Sequence, residues 1–254
     1  MTTYPNCKIN LGLHVVSRRA DGYHNLETIF VPVHDMHDEL EITEACGQTT
    51  MTQEGIVLDN APADNLCVKA WQIMHEEFDI PPVSIRLKKN IPFGAGLGGG
   101  SADAAFTLKM LNEMFSLSLG IADLERRAAK LGADCAFFIQ NTAAYATGIG
   151  DVLEPIDLNL SRYRIIIEIP EGEHISTREA YAGIHPCADG RPDLHEAVRE
   201  PVGQWKEMIV NDFEASVFPN HPTIAILKED MYRRGAVYAS MTGSGAAVYG
   251  IFPN

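Results

Sequence analysis

The segment Pro92-Phe93-Gly94-Ala95-Gly96-Leu97-Gly98-Gly99-Gly100-Ser101 constrains this chain more than any other. Five of the seven residues from Gly94 to Gly100 are glycine, and the stretch after it, to about Phe115, has the spacing of an amphipathic helix. Glycine lets backbone N–H groups approach an anion closely. A helix N-terminus adds donors without partners and the positive end of a dipole. Together they predict a phosphate cradle, since a flexible linker is seldom followed at once by an apolar-periodic helix. Gly94-x-Gly96-x-x-Gly99 also fits the dinucleotide fingerprint. That fingerprint needs a second strand ending in an acidic residue about 20 residues on, and Leu119 to Arg127 reads as helix instead. The chain contains no Gly-Lys dipeptide, so the loop is not a Walker A loop either.

Around this loop the periodicities alternate between strand and helix. Ile9, Leu11, Leu13 and Val15 alternate with Lys8, Asn10, Gly12 and His14, which predicts a half-buried strand over Lys8–Val16 with Lys8 and Asn10 on one face. A turn at Arg18–Gly22 leads to a strand over Leu26–Val33. A helix is expected from Asp64 to Phe78, with Asp64 or Asn65 as its N-cap, and a strand from Val83 to Leu87. A helix over Ile121–Leu131 should end at Gly132. The pattern breaks near Pro155–Ser161, and a new strand starts at Tyr163. The second half is expected to hold helices near Pro192–Met208 and Thr223–Arg234, and two strands flanking Thr242-Gly243-Ser244-Gly245. Without regular βαβ alternation, this mixture predicts an α+β fold, divided into 1–155 and 156–254.

The 254 residues are 46% hydrophobic and 21% charged, enough for a packed core. The formal net charge of −14 argues against a nucleic-acid partner, which needs a basic face. An anionic nucleotide would have to be held by local N–H groups, a few cations and metal. The five cysteines are scattered and form no CxxC pair, as reduced thiols of a cytoplasmic protein would be. There is no signal-peptide h-region and no apolar run long enough to span a membrane.

The glycine segment, as Pro-x-Gly-x-Gly-Leu-Gly-Gly-Gly-Ser, resembles the second motif of the GHMP kinases, the family of galactokinase, homoserine kinase and mevalonate kinase. Cys7-Lys8-Ile9-Asn10-Leu11 and Arg18-Arg19-Ala20-Asp21-Gly22-Tyr23-His24-Asn25-Leu26 resemble the signature of its branch that phosphorylates a cytidine-diphosphate-linked methylerythritol. Met241-Thr242-Gly243-Ser244-Gly245-Ala246 resembles the third motif, and Leu131-Gly132-Ala133-Asp134 the segment with the catalytic aspartate. Asn211-Asp212-Phe213-Glu214 is also similar to the family, with no role legible from sequence. Two departures stand out. Asn6-Cys7 precedes Lys8 where the family usually has Ala. The sequence also stops at Asn254, where the family continues, so the last strand is expected to lack a neighbour.

The resemblance implies an N-terminal ribosomal-protein-S5-like lobe that binds ATP and a C-terminal ferredoxin-like lobe, with the site in the cleft between them. It implies ATP and Mg²⁺, with Lys8 and Asp134 as the catalytic pair. Asn10, Tyr23, His24, Thr177 and Tyr181 would bind the substrate. Asn65, Pro92, Gly94, Gly96, Leu97, Gly98, Gly99, Gly100, Ser101 and Ala102 would bind ATP, and Thr242, Gly243, Ser244 and Gly245 form the third glycine motif. The partner would be a small molecule with a cytidine diphosphate moiety, with no nucleic acid or membrane, on a monomer or weak dimer. The rivals are another GHMP kinase, of homoserine or mevalonate type, and a nucleotide-binding sensor without catalysis. Asp134 and Ser101 also fit plain helix N-caps, Tyr23 and His24 loop packing, and Cys135 a buried small side chain. His34, Asp35, His37 and Asp38 read as a polar loop, not a metal site.

Overall fold

A computed structural model describes residues 1–56, 64–188 and 190–254. The chain forms two compact units, each assembled from separated stretches. The first comprises Met1–Lys8, Pro32–Phe93 and Gly98–Thr142, and the second Ile9–Val31, Gly94–Leu97 and Ala143–Asn254. Among the described residues the mixture of helices and three separate sheets is α+β.

In the first unit a four-stranded sheet has the order Thr2–Thr3, Glu39–Glu44, Val83–Lys89, Thr50–Gly55. The last of these runs parallel to Val83–Lys89 and the other pairs are antiparallel. The helices Leu66–Phe78 and Gly99–Met114 pack against each other. Asn65 caps the first, its Oδ1 accepting from the Cys67 amide at 2.9 Å. Alternation along Val83–Lys89 buries Val83, Ile85, Leu87 and Lys89 and turns Arg86 and Lys88 outward. That parity puts a lysine on an apolar face, where an unpaired charge is untenable. Lys89 Nζ donates to Asp38 Oδ2 and, at 2.7 Å, to Asp103 Oδ2. Asp38 Oδ1 accepts the amides of Asn90 at 2.6 Å and Ile91 at 2.9 Å. The segment read as a polar loop is therefore the end of strand His24–His37, followed by a fully buried aspartate.

The second unit holds the three-stranded antiparallel sheet Tyr238–Met241, Val248–Pro253, Tyr163–Glu168. The expectation that the last strand lacks a neighbour does not hold: Val248–Pro253 is the central strand, paired on both sides. Leu13, Ile175, Ala180, Phe213, Met231, Met241 and Val248 share one core. The other sheet has the order Asn6–Arg18, His24–His37, Ala144–Thr147, Val152–Pro155, and the unit boundaries fall within its first two strands. Strand Asn6–Arg18 is buried from Asn6 through Val15, so both of its faces are covered, not one.

The helix expected over Pro192–Met208 is broken. Pro201 lacks an N–H and restricts the residue before it, so the chain forms Leu194–Ala197 and a 3₁₀ turn, Val202–Glu207. The helix from Ile121 ends at Ala128, and Gly132 lies three residues past its cap in an extended conformation.

Lys89→Met is expected to lower the unfolding free energy by about 3–5 kcal/mol, because it strands two buried carboxylates; urea denaturation measures it. Burial pushes the Asp103 carboxyl up to about 7. The folded protein thus holds a proton that the unfolded chain releases near pH ~4. That contribution to stability is full in acid and is lost as pH rises through about 7. Asp103→Asn should cost less than Lys89→Met and remove this slope, read as unfolding free energy at pH 5 and pH 8.

Candidate active site

The helix Gly99–Met114 begins without a side-chain cap: its N-cap is Gly98, in the left-handed region at φ +71°. Ser101 is inside the first turn, so its reading as the N-cap is corrected. The first amides of a helix have no intrahelical partner, and with no cap a bound anion is their natural acceptor. A Cβ on Gly98 would lie 3.1 Å from the Phe138 ring and 3.2 Å from Lys8 Cε, and the positive φ adds strain. Gly99 is buried against Ile91, whereas Gly100 is open to a ligand. Ala102 is buried and its amide closes the first helical bond, to Gly98 O.

In the same unit Lys8 Nζ lies 3.5 Å from Asp134 Oδ2, with the lysine side chain 4% exposed and the aspartate 32%. Asp134 sits in the 3₁₀ turn Ala133–Cys135, where no side chain caps either that turn or the helix after it. The N-cap reading of Asp134 is therefore corrected, and its carboxylate faces Lys8 instead. A lysine with almost no water around it, beside a carboxylate that solvent still reaches, is a pair able to hold a proton and an anion together. Cys135 is buried next to it. Burial pushes its thiol up to about 11, against a hydrogen bond with Ser101, which makes it a packing group and a poor nucleophile.

The second unit carries the rest. Pro92 belongs to the first unit, but Gly94, Ala95, Gly96 and Leu97 belong to the second. Gly96 lies against the third glycine motif, where a Cβ would strike the Thr242 carbonyl and where Gly243 is also in contact. Asn10 joins the same cluster. Its amide donates to Thr242 Oγ1 at 2.9 Å and its Nδ2 to Thr28 Oγ1 at 3.1 Å. Gly245 closes the turn on the Thr242 carbonyl at 3.0 Å, with Ser244 inside it.

Asn211-Asp212-Phe213-Glu214, which had no role from sequence, holds this cluster in place. Asn211 Nδ2 donates to the carbonyls of Met241 at 2.7 Å and Gly243 at 2.9 Å. Asp212 accepts the Val15 amide at 2.7 Å and pairs with Arg191 at 2.5 Å. Glu214 Oε1 accepts from the Met241 amide at 2.9 Å and Ser240 Oγ at 3.0 Å.

Of the proposed substrate residues, the structure brings together His24 and Tyr181, whose rings stack at 4.5 Å and 19°. Tyr181 also meets Phe213 edge-on at 4.8 Å. Tyr23 is 62% exposed on a turn held by Arg19 and Asp21 and does not join the stack. Thr177 opens the helix Thr177–Ala182, a short element that the sequence reading did not separate. Burial, then Arg18, lowers the His24 imidazole below its ordinary value, so it is neutral at pH 7. A neutral imidazole offers one donor and one acceptor.

Residues 65–152 match the model of the GHMP kinases N terminal domain and residues 194–254 that of the GHMP kinases C terminal. The chain belongs to the GHMP kinase family. It is 52% identical to 4-diphosphocytidyl-2-C-methyl-D-erythritol kinase of Bacteroides thetaiotaomicron over 257 aligned positions, 99% of this chain and 92% of that one. It is 50% identical to the protein of the same name from Parabacteroides distasonis, over 99% of this chain and 92% of that one. A crystal structure of 4-(cytidine 5'-diphospho)-2C-methyl-D-erythritol kinase is 31% identical and superposes with a TM-score of 0.84, covering 99% of this chain and 90% of that one. GHMP kinases take ATP as a substrate, which suits the uncapped helix beside Lys8 and Asp134. No helix among the described residues is long and apolar enough to cross a membrane.

Gly98→Val should abolish ATP binding in a folded protein, since the added carbons enter the space of Phe138 and Lys8 and the backbone cannot keep its left-handed turn. Titration calorimetry with ATP checks it, and unchanged affinity would contradict the cradle.

Proposed function

We propose that this chain transfers the γ-phosphoryl group of ATP to the 2-hydroxyl of 4-diphosphocytidyl-2-C-methyl-D-erythritol, a step of non-mevalonate isoprenoid precursor synthesis. The observation that carries the reading is the Lys8–Asp134 contact in the same unit as an uncapped, glycine-opened helix. The names of relatives about half identical over nearly the whole chain support the substrate. Likeness to homoserine and mevalonate kinases, at 16% and 13% identity, concerns the fold alone.

In this mechanism the amides at the start of Gly99–Met114 receive the phosphates. Asp134 accepts the proton of the substrate hydroxyl. The freed electron pair forms the new O–P bond, and the bond from the γ-phosphorus to the bridging oxygen breaks with its pair leaving on ADP. Lys8, 3.5 Å from the Asp134 carboxylate, stabilises the developing alkoxide. Among the described residues no group of three His, Cys, Asp or Glu side chains forms a cage for a metal. Mg²⁺ would be carried on nucleotide phosphates and water, with the Ser101 hydroxyl as a protein oxygen that would hold it. When bound, the ion neutralises charge on the transferring group. Asn65 and Pro92 border the nucleotide, and Thr242–Gly245, tied to Asn10, supports Gly96.

Recognition of the cytidylyl group falls to His24, Tyr181, Tyr23 and Thr177. Cytosine is flat and uncharged, so a chain of net charge −14 holds it by stacking and edge hydrogen bonds. The stacked rings of His24 and Tyr181 together offer the aromatic surface for the base.

Asp134→Asn should lower kcat by about 10²–10⁴-fold with KM little changed, the range for loss of a general base. A loss under about threefold would remove proton transfer to Asp134 from the mechanism. Lys8→Met, which keeps length and loses charge, should also be strongly impaired, and wild-type turnover would exclude Lys8.

Tyr181→Ala is expected to raise KM for the cytidylyl substrate by about 5- to 150-fold, from a stacking energy of about 1–3 kcal/mol, and to leave ATP affinity unchanged. Tyr181→Phe should be nearly neutral, since the face does the work and the Phe213 contact survives. Equal effects of Tyr181→Ala on both substrates, or on neither, would make Tyr181 a packing residue.

A further inference from the structure

His221 stands just before the helix Pro222–Arg233, and both of its ring nitrogens face carboxylates. Nδ1 lies 2.6 Å from Glu173 Oε2, and Nε2 lies 2.9 Å from Glu179 Oε1. A neutral imidazole has one N–H and one lone pair. Its lone pair would be aimed at an anionic oxygen at hydrogen-bond distance, which is repulsive. Only the imidazolium donates to both. Glu179, then Glu173, accordingly raises the pKa of His221 above its ordinary value. Thr223, on the following helix, donates to the other oxygen of Glu173, and its hydroxyl with His221 holds the Glu173 carboxyl below the usual range. Glu173, at the end of the turn from Pro170, and Glu179 are the charged groups that act on the ring.

Glu179 belongs to the helix Thr177–Ala182. Six residues are too few for a helix to stand alone in water, so its position is set by what grips it. The buried side is held by Ala180 and by the Ser216 hydroxyl, which donates to the Ala180 carbonyl at 2.8 Å. The exposed first turn is held by the Ser176 cap on the Glu179 amide at 3.1 Å and by His221.

We propose that His221, as a cation bridging Glu173 and Glu179, is a positioning residue for the cytidylyl substrate, fixing the helix that presents Thr177 and Tyr181. The inference rests on the assignment of that helix to the substrate made above. The His221 ring is spent on Glu173 and Glu179 and is not among the residues assigned to either substrate, so on this proposal ATP binding and phosphoryl transfer do not run through it. The sign of the pH effect follows. A group whose pKa is raised on folding keeps its contacts below the ordinary value, near ~6.5, and loses them as pH rises through the raised value. KM for the cytidylyl substrate should therefore climb with pH above that point, while KM for ATP does not follow.

Steady-state kinetics across pH 6 to 9 on wild type, His221→Gln and His221→Arg test this, with Tyr181→Ala in parallel. Glutamine cannot donate to both carboxylates. His221→Gln should raise the cytidylyl KM about 3- to 10-fold at low pH, the scale of one partly exposed charge-assisted contact, and leave kcat and the ATP KM unchanged. His221→Arg stays cationic and should keep the low cytidylyl KM with its rise at high pH abolished. A cytidylyl KM unchanged in His221→Gln, while Tyr181→Ala raises it, overturns the bridge and leaves the substrate assignment standing. If Tyr181→Ala also has no effect, the substrate assignment fails and takes the bridge with it. Should His221→Gln fail to fold, the ring proton resonance of His221 in wild-type protein decides: titration above the ordinary histidine value supports the bridge, and titration at or below it overturns it.

Discussion

Lys89 holds a buried positive charge between two buried carboxylates, and the glycine-opened end of helix Gly99–Met114 is anchored on that contact. A loop built of glycine can approach an anion because it has no side chains. For the same reason it has nothing with which to hold itself. Its shape must come from neighbours. Asp38 fixes the chain as it leaves strand Val83–Lys89, by accepting the amides of Asn90 and Ile91, and Asp103 fixes the helix one turn past the uncapped start. Replacement of a buried ion pair by apolar residues is often neutral or stabilising, so net stability does not explain this arrangement. What the ions supply here is a defined geometry under the glycines.

The second unit solves the same problem with neutral and acidic anchors. Asn211 and Glu214 grip the backbone on either side of Thr242, and Asp212 grips strand Asn6–Arg18 just past Asn10 and Gly12. The third glycine motif can then lie in backbone contact with Gly96. An acidic chain with a formal net charge of −14 has no need of a basic surface to hold an anion, because oriented N–H groups can receive it.

Much of this was legible in the sequence, and the rest failed for identifiable reasons. The glycine segment, the helix after it and the first strand follow from composition and periodicity, whereas the pairing of Lys8 with Asp134 comes only from the family resemblance. The Val83–Lys89 alternation already placed Lys89 inside, but its partners are 51 and 14 residues away, and one was read as part of a polar loop. Helix Thr177–Ala182 spans less than two turns, too short for a 3.6-residue period to show. Pro201 was the visible signal that the Pro192–Met208 helix could not run through. The His24–Tyr181 stack, which leaves the neighbouring Tyr23 exposed, depends on a turn geometry that spacing alone does not specify.

The central position of Val248–Pro253 has a consequence in time. Its partner strand Tyr163–Glu168 precedes it by 80 to 90 residues, counted from the Glu168–Val248 and Tyr163–Pro253 pairs. At a synthesis rate of about 5–20 residues per second, Tyr163–Glu168 leaves the ribosome roughly 4–18 s before the strand that covers its edge exists. For that interval the apolar run Ile165-Ile166-Ile167 has no sheet to join. The second unit is thus the late-maturing part of the chain, and its nascent edge is the surface on which chaperone binding or misassembly would compete with folding.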